Sequence, residues 1–293
     1  MSTVGSVRVP GGGPPRFAAA SNARLKAARR LTKRAFRQRE RAFLAEGPQA
    51  VAEALAMGAR VTDLFVTAPA QARHAELVTA AADAGVTIQV ISGEEMSELS
   101  GTVTPQGLLA ACGFVDVPLA AITGNRPRLV ALLANVRDPG NAGTVLRAAD
   151  AAGADAVIFS DASVDPYNGK CVRASAGSLF HLPVAALSGG ALPEQVIRLS
   201  RAIAELRAAG LRVIAADGRS GVTLDDPAAR DLLAGPTAWL FGNEAWGLPD
   251  ELLAQADASL AVPIYGRAES LNLATAATVC LYASASAQRA SPA

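Results

Sequence analysis

Apolar residues in this chain fall into short continuous runs, and the stretches between them carry helical periodicity. In the larger C-terminal part the runs are LVALLANV, AVIFSD, LFHLPVAAL, LRVIAAD, TAWLFGN and SLAVPI, starting at Leu129, Ala156, Leu179, Leu211, Thr237 and Ser259. Uninterrupted apolar strands alternating with helices predict a parallel sheet covered on both faces. A long helix from Ser270 closes the chain, with Ser270 as its N-cap by residue type. Ligands of such sheets sit at the carboxyl ends of the strands. Upstream, a helix is predicted from Ser21, capped by Ser21 or Asn22. FLAEGPQAVAEALAMG then gives a strand, a turn at Gly47–Pro48 and a helix. VTDLFVT is a strand, PAQARHAELVTAAADAG one helix with Pro69 near its start, VTIQVIS a strand, EEMSELS a short helix and GLLAACGFV a strand.

This pattern divides the chain into a small α/β unit over residues 21–117, a linker over 118–128 (PLAAITGNRPR) and a second α/β unit over 129–293. Residues 1–20, rich in Gly, Pro and Ala, are expected to be a disordered tail. GGGPP at Gly11–Pro15 is no phosphate loop, because no strand precedes it. With 293 residues, 51% of them hydrophobic and 4% aromatic, the chain can bury a large α/β core.

Charge changes the picture in one place. The chain carries a formal net charge of +1, yet nine basic residues lie between Arg24 and Arg41 against one acid, Glu40. The rest of the chain is therefore acidic. A basic arm on an acidic body points to a polyanionic partner, against the plainer reading of a solvated helix face. Cys112, Cys171 and Cys280 are far apart and form no CxxC pair, which suits a reducing compartment. Two histidines, His74 and His181, do not make a zinc set with them, and no metal is expected. The N-terminus has no apolar signal region and no run is long enough to span a bilayer. These features point to the cytoplasm.

Three polar clusters fall at strand ends. NVRDPGNAGTVLRAADAAGADAV carries Asn135, Asp138, Asn141, Gly143 and Arg147; Asn141 is read as a helix cap, with Arg147 about two turns in. LFGNEAWGLPDE carries Gly242, read as a residue of positive φ or of close ligand approach, and Glu244, read as a helix-capping carboxylate. Trp246 is read as packing. VPIYGRAESLNLATAA carries Ser270 and Asn272 beside free helix N–H groups. Taken singly, each cluster has an ordinary structural explanation.

Together and in this order, they resemble the SpoU (TrmH) family of RNA ribose 2′-O-methyltransferases of the SPOUT class, over Leu129–Gln288. FLAEGPQAVAEAL and TPQGLLAACGF resemble, more loosely, the family's ribosomal-protein-L30e-like substrate domain. Ala245–Trp246 depart from the charged or small pair more usual there. The resemblance implies a C-terminal parallel-sheet α/β knot, trefoil-knotted, with a smaller N-terminal L30e-like α/β domain. It also implies a homodimer that binds S-adenosylmethionine. Leu240, Phe241, Gly242, Asn243, Gly247, Ile264 and Leu273 would hold the cofactor, and Arg147, Asn141, Glu244, Ser270 and Asn272 would be catalytic. An adenosyl sulfonium ligand has no pyrophosphate, so no G-x-G-x-x-G loop is needed.

Arginine stays protonated in ordinary settings. Arg147 either has its proton affinity shifted and takes the hydroxyl proton, or grips RNA phosphate and stabilises the forming alkoxide; the second is favoured physically. Arg30, Lys33, Arg34 and Arg37 are expected to touch phosphate of a structured RNA, ribosomal rather than transfer RNA. Rival readings are a SPOUT enzyme acting on tRNA or a base nitrogen, and a non-catalytic RNA-binding assembly factor.

Overall fold

The computed structural model describes residues 17–19, 21–187 and 192–290; the rest of the expected tail lies outside the described residues. The N-terminal unit opens with β1 (Phe17–Ala19), α1 (Asn22–Arg30) and α2 (Arg34–Glu40), followed by β2 (Ala42–Glu46), α3 (Pro48–Ala56) and β3 (Val61–Thr67). It ends with α4 (Ala68–Arg73), α5 (Ala75–Asp83), β4 (Thr87–Ile91), α6 (Gly93–Ser100) and β5 (Leu108–Gly113). Its sheet has the order β1-β4-β3-β5-β2, with β5 antiparallel to both its neighbours.

Three details differ from the sequence reading. β1 falls inside the segment expected to be disordered and pairs in parallel with β4. The helix expected from Pro69 breaks at His74, whose backbone leaves the helical region. The basic helix is two helices. Arg37, on α2, donates back to the carbonyls of Leu31 (3.0 Å) and Thr32 (2.9 Å), satisfying groups that continued α-helix would otherwise bond. Ser21 caps α1 as expected, accepting from the Arg24 N–H.

The stretch read as a linker holds α7 (Leu119–Gly124), whose Ile122 is buried with Leu199 and Ile203. The C-terminal unit then runs through β6 (Leu129–Leu133), α8 (Pro139–Ala152), β7 (Ala156–Phe159), α9 (Gly169–Ser175), α10 (Ser178–His181) and β8 (Val184–Ala186). It continues with α11 (Leu192–Ala208), β9 (Arg212–Ala216), α12 (Arg230–Ala234), β10 (Thr237–Phe241), α13 (Asp250–Leu253), β11 (Ala258–Leu260) and α14 (Leu273–Ala290). All six strands are parallel, in the order β11-β9-β10-β6-β7-β8. The run from Leu179, expected to be one strand, starts instead as the helical turn α10. Pro183 drives Leu182 into extended backbone, and only then does the strand begin.

Alternation along the central strands sorts the core. Leu132 and Leu240 face Leu199, Ile203 and Leu206 of α11. Leu133, Trp239 and Phe241 face the side covered by α8 and α14. Trp239 is fully buried there, with its indole N–H donating to Ser284 Oγ at 2.9 Å.

The two units share one core. Phe43 and Phe114 of the first unit pack on Tyr167, and Phe43 also stacks on Phe180. Around them, Arg173 pairs with Glu46 at 2.8 Å, and the Tyr167 hydroxyl donates to Asp116 at 2.9 Å. Arg37 pairs with Asp165 at 2.7 Å, with only 5% and 3% of the two side chains exposed. This corrects one expectation: Arg37 is a buried strut between the units and is not available to RNA phosphate. Arg30, Lys33 and Arg34 are exposed, Arg30 lying over the Phe36 ring.

Removing one partner of a buried pair leaves the other charge uncompensated. Arg37→Ala is therefore expected to destabilise the chain by about 3–5 kcal/mol in urea unfolding. A loss below about 1 kcal/mol would show that the pair is not the strut described.

Candidate active site

The carboxyl ends of β6, β9, β10 and β11 open onto one side of the sheet, and three loops converge there. After β6 the chain turns through Asn135, which takes a left-handed backbone (φ 62°). Asp138 then caps α8 by accepting from the Asn141 N–H at 2.8 Å, with Pro139 in the first turn. Asn141 is thus in the first turn and not the cap, which frees its side chain to reach outward. Gly143 is where α8 meets α9: a Cβ there would lie 2.3 Å from the Cys171 carbonyl oxygen. Lys170 of α9 pairs with Asp138 and holds its carboxyl below the usual range, helped by the Asn141 N–H.

The loop after β10 folds on itself. Asn243 and Gly247 exchange two backbone hydrogen bonds of 2.9 Å, and buried Asn243 donates from Nδ2 to the Asn135 carbonyl at 2.8 Å. A Cβ on Gly242 would come within 2.4 Å of Gly247. Gly242 is needed for this close return, and the positive φ belongs to Gly247 (70°).

Glu244 is the junction. Its carboxylate accepts from the backbone N–H of Arg137 (3.3 Å) and Asp138 (3.1 Å) and from Asn141 Nδ2 (3.1 Å). It caps no following helix; it clamps the loop after β10 to the loop after β6. Partial burial alone would raise its pKa. The hydrogen bonds from Asn141 and the backbone outweigh that and hold the carboxyl below its ordinary value.

Asn272 joins from the third loop. Its Nδ2 donates to Asn141 Oδ1 at 3.0 Å, while its Oδ1 accepts from the N–H groups of Ala274 (2.9 Å) and Thr275 (3.4 Å). Asn272 is therefore the N-cap of α14, and Ser270, expected in that role, lies exposed two residues earlier. A single relay, Asn272 to Asn141 to Glu244, ties three loops that are far apart in sequence.

Beside this relay lies an open cleft of about 250 Å³. It is lined by six of the expected cofactor residues, Phe241, Gly242, Asn243, Gly247, Ile264 and Leu273, and by Glu244 and Ser270. Leu240 is a correction. Its side chain is fully buried on the α11 side, and its backbone lies between two paired strands. The sequence reading missed Asp217 and Gly218 at the end of β9, and Glu269 and Leu271 before α14, all of which line the cleft. Their only signal was position at a strand exit or within an already noted loop. Arg147 does not join the relay. It is exposed on α8, and its side chain makes no hydrogen bond or ion pair among the described residues. Trp246, read as packing, is 55% exposed at the rim.

Residues 128–282 match the SpoU rRNA methylase family. The chain belongs to that family. Residues 22–110 match the MRM3-like substrate binding domain. A Bacillus subtilis 23S rRNA (guanosine(2553)-2′-O)-methyltransferase, RlmP, is 34% identical over 90% of this chain and 96% of its own. The structure of an AdoMet-bound rRNA methyltransferase from Sinorhizobium meliloti aligns with TM-score 0.75 at 31% identity, over 94% of this chain and 98% of that one. AviRb from Streptomyces viridochromogenes, in complex with AdoMet, aligns with TM-score 0.75 at 27% identity, over 92% of this chain and all of that one. The C-terminal unit thus has the α/β-knot fold of the SPOUT class, and the protein is an S-adenosylmethionine-dependent RNA 2′-O-methyltransferase.

The cleft fits that cofactor. Phe241, Leu260, Ile264, Leu271 and Leu273 offer apolar walls, and Asp217, Glu244 and Glu269 surround a cationic ligand with carboxylates.

The Glu244 clamp has a pH signature. Because its folded pKa is lowered, its contribution is present above the unfolded carboxyl value of about 4.3 and is lost as pH falls through the folded pKa. Glu244→Gln should lower the thermal midpoint by a few degrees at neutral pH, and the gap from the wild type should close in acid. A gap that stays constant down to about pH 3 would rule out the carboxylate as the source.

Proposed function

We propose that the substrate is ribosomal RNA, and that the relay and Arg147 together methylate one of its ribose 2′-hydroxyls. The observation that carries this reading is the Asn272–Asn141–Glu244 relay at the mouth of a carboxylate-lined cleft. The ribosomal target draws on the B. subtilis relative, whose name gives 23S rRNA, and on the family's own description.

The cofactor supplies a methyl group on a sulfonium that is already activated for displacement. The chain's residues have two tasks. The first is to hold and orient the reactants, which can lower a barrier by several kcal/mol. Phe241, Gly242, Asn243, Gly247, Ile264 and Leu273 would bind the cofactor, while Asn141, Asn272 and Ser270 orient the ribose. The second is to help a weakly acidic hydroxyl lose its proton. Arg147 carries a guanidinium with no partner among the described residues, which leaves its fork free for RNA phosphate. A bound phosphate and the developing alkoxide would both sit beside a fixed positive charge. Glu244 serves chiefly to fix Asn141, since its carboxylate already accepts three hydrogen bonds.

RNA approach is supported by the N-terminal unit, where Lys33 and Arg34 are exposed and form no ion pair among the described residues, and where Arg30 is also exposed. Two copies of the chain would pair over the exposed faces of α8 and α14. Val279 and Tyr282 are exposed there at 39% and 45%, and Tyr282 bonds Ala151, one turn from Arg147. A homodimer would thus set Arg147 beside its interface. The cytoplasm is the compartment in which such a substrate is met, and no described helix is long and apolar enough to cross a membrane.

Arg147→Lys tests the chemistry. It should lower kcat by roughly a hundredfold, because an ammonium cannot reproduce the bidentate fork, and leave S-adenosylmethionine affinity unchanged. Methylated rRNA fragments quantified by mass spectrometry supply the rate. Near-full activity with a lowered apparent pKa would instead identify the side chain as a proton acceptor.

A further inference from the structure

Trp246 is left over from the cofactor site and from the core. Its ring is 55% exposed, on the loop that carries Glu244, two residues further on. One neighbour is Arg137, whose guanidinium lies 5.6 Å from the ring centroid. Arg137 is itself exposed; its Nε donates to the neutral amide oxygen of Asn135 at 3.1 Å, and it forms no ion pair among the described residues. Its backbone N–H is one of the three groups held by Glu244. The aromatic ring and an unneutralised cation are therefore both fixed to the junction that organises the relay, at the rim of the cleft.

A large aromatic ring in solvent beside a site that acts on RNA has a specific use. Unpaired RNA bases are recognised by stacking on aromatic or guanidinium planes, and each such stack is sequence-tolerant because every base has a π-face. The cation adds attraction for the adjoining phosphate. We propose that Trp246, backed by Arg137, is the platform on which an unpaired base next to the target nucleotide stacks. The stacked base positions the 2′-hydroxyl against Asn141 and Arg147. This rests on the reading that the substrate is RNA, and it assigns the site a preference for a single-stranded or splayed-out segment over continuous duplex. Trp246 is a positioning residue and not a catalytic one.

Intrinsic fluorescence reads this directly, because the chain has two tryptophans and the other, Trp239, is fully buried and bonded to Ser284. The full-length protein is titrated with a single-stranded adenine-rich oligoribonucleotide and with an abasic oligomer of equal length. Stacking predicts strong quenching by the first and little by the second, with the quenching lost in Trp246→Phe because only Trp239 then emits. Binding measured by anisotropy should weaken by roughly five- to a hundredfold in Trp246→Ala and be largely restored in Trp246→Phe. S-adenosylmethionine affinity should not change in either variant. Equal binding of both oligomers by the wild type and Trp246→Ala would overturn the platform. So would a change of oligomeric state or of cofactor affinity in Trp246→Ala, either of which would assign the ring to a protein interface or to the cofactor wall. If the wild type binds cofactor but no RNA at all, the RNA reading itself fails, a result distinguishable from the others.

Discussion

The carboxylate of Glu244 carries the geometry of this site. A parallel strand that feeds a helix leaves backbone N–H groups without partners in the connecting turn. Here those of Arg137 and Asp138 are satisfied by a side chain from another loop, more than a hundred residues away. The same carboxylate fixes Asn141, and Asn141 fixes the start of α14 through Asn272. Three loops with no regular structure of their own become one surface through four hydrogen bonds. The arrangement is strong because one member is charged and accepts from several donors at once.

The chemistry follows from what lies on either side of that surface. The cleft side is walled by apolar residues and carboxylates, suited to a cationic adenosyl ligand that has no phosphate to cradle. The outer side presents Arg137 and Trp246, a guanidinium group beside a ring, suited to a nucleotide chain.

Much of this was legible in the sequence, for a physical reason. A strand buried on both faces must be apolar throughout, so LVALLANV and TAWLFGN announced themselves. Polar residues clustered at the exits of such strands were the candidates for the site. What the sequence left ambiguous was which of several equivalent polar residues takes a given task. Asp138, Asn141, Ser270 and Asn272 are all good caps by type; only the tertiary hydrogen bonds make Asp138 and Asn272 the caps and Asn141 the hub. Arg37 was indistinguishable from its basic neighbours until Asp165, 128 positions on, was seen to bury it. Leu240, expected to hold adenine through the backbone, does not line the cleft, and strand period sends its side chain to the face opposite Phe241.

The central claim is that the relay acts as one unit in holding together the loops around the cofactor cleft. A double-mutant cycle tests it most directly, with calorimetric S-adenosylmethionine affinities for the wild type, Asn141→Ala, Asn272→Ala and the double variant. A single unit predicts that the double variant loses little more than either single one, a coupling energy of about 1 kcal/mol or more. Losses that simply add would contradict it, leaving the two asparagines as independent contacts.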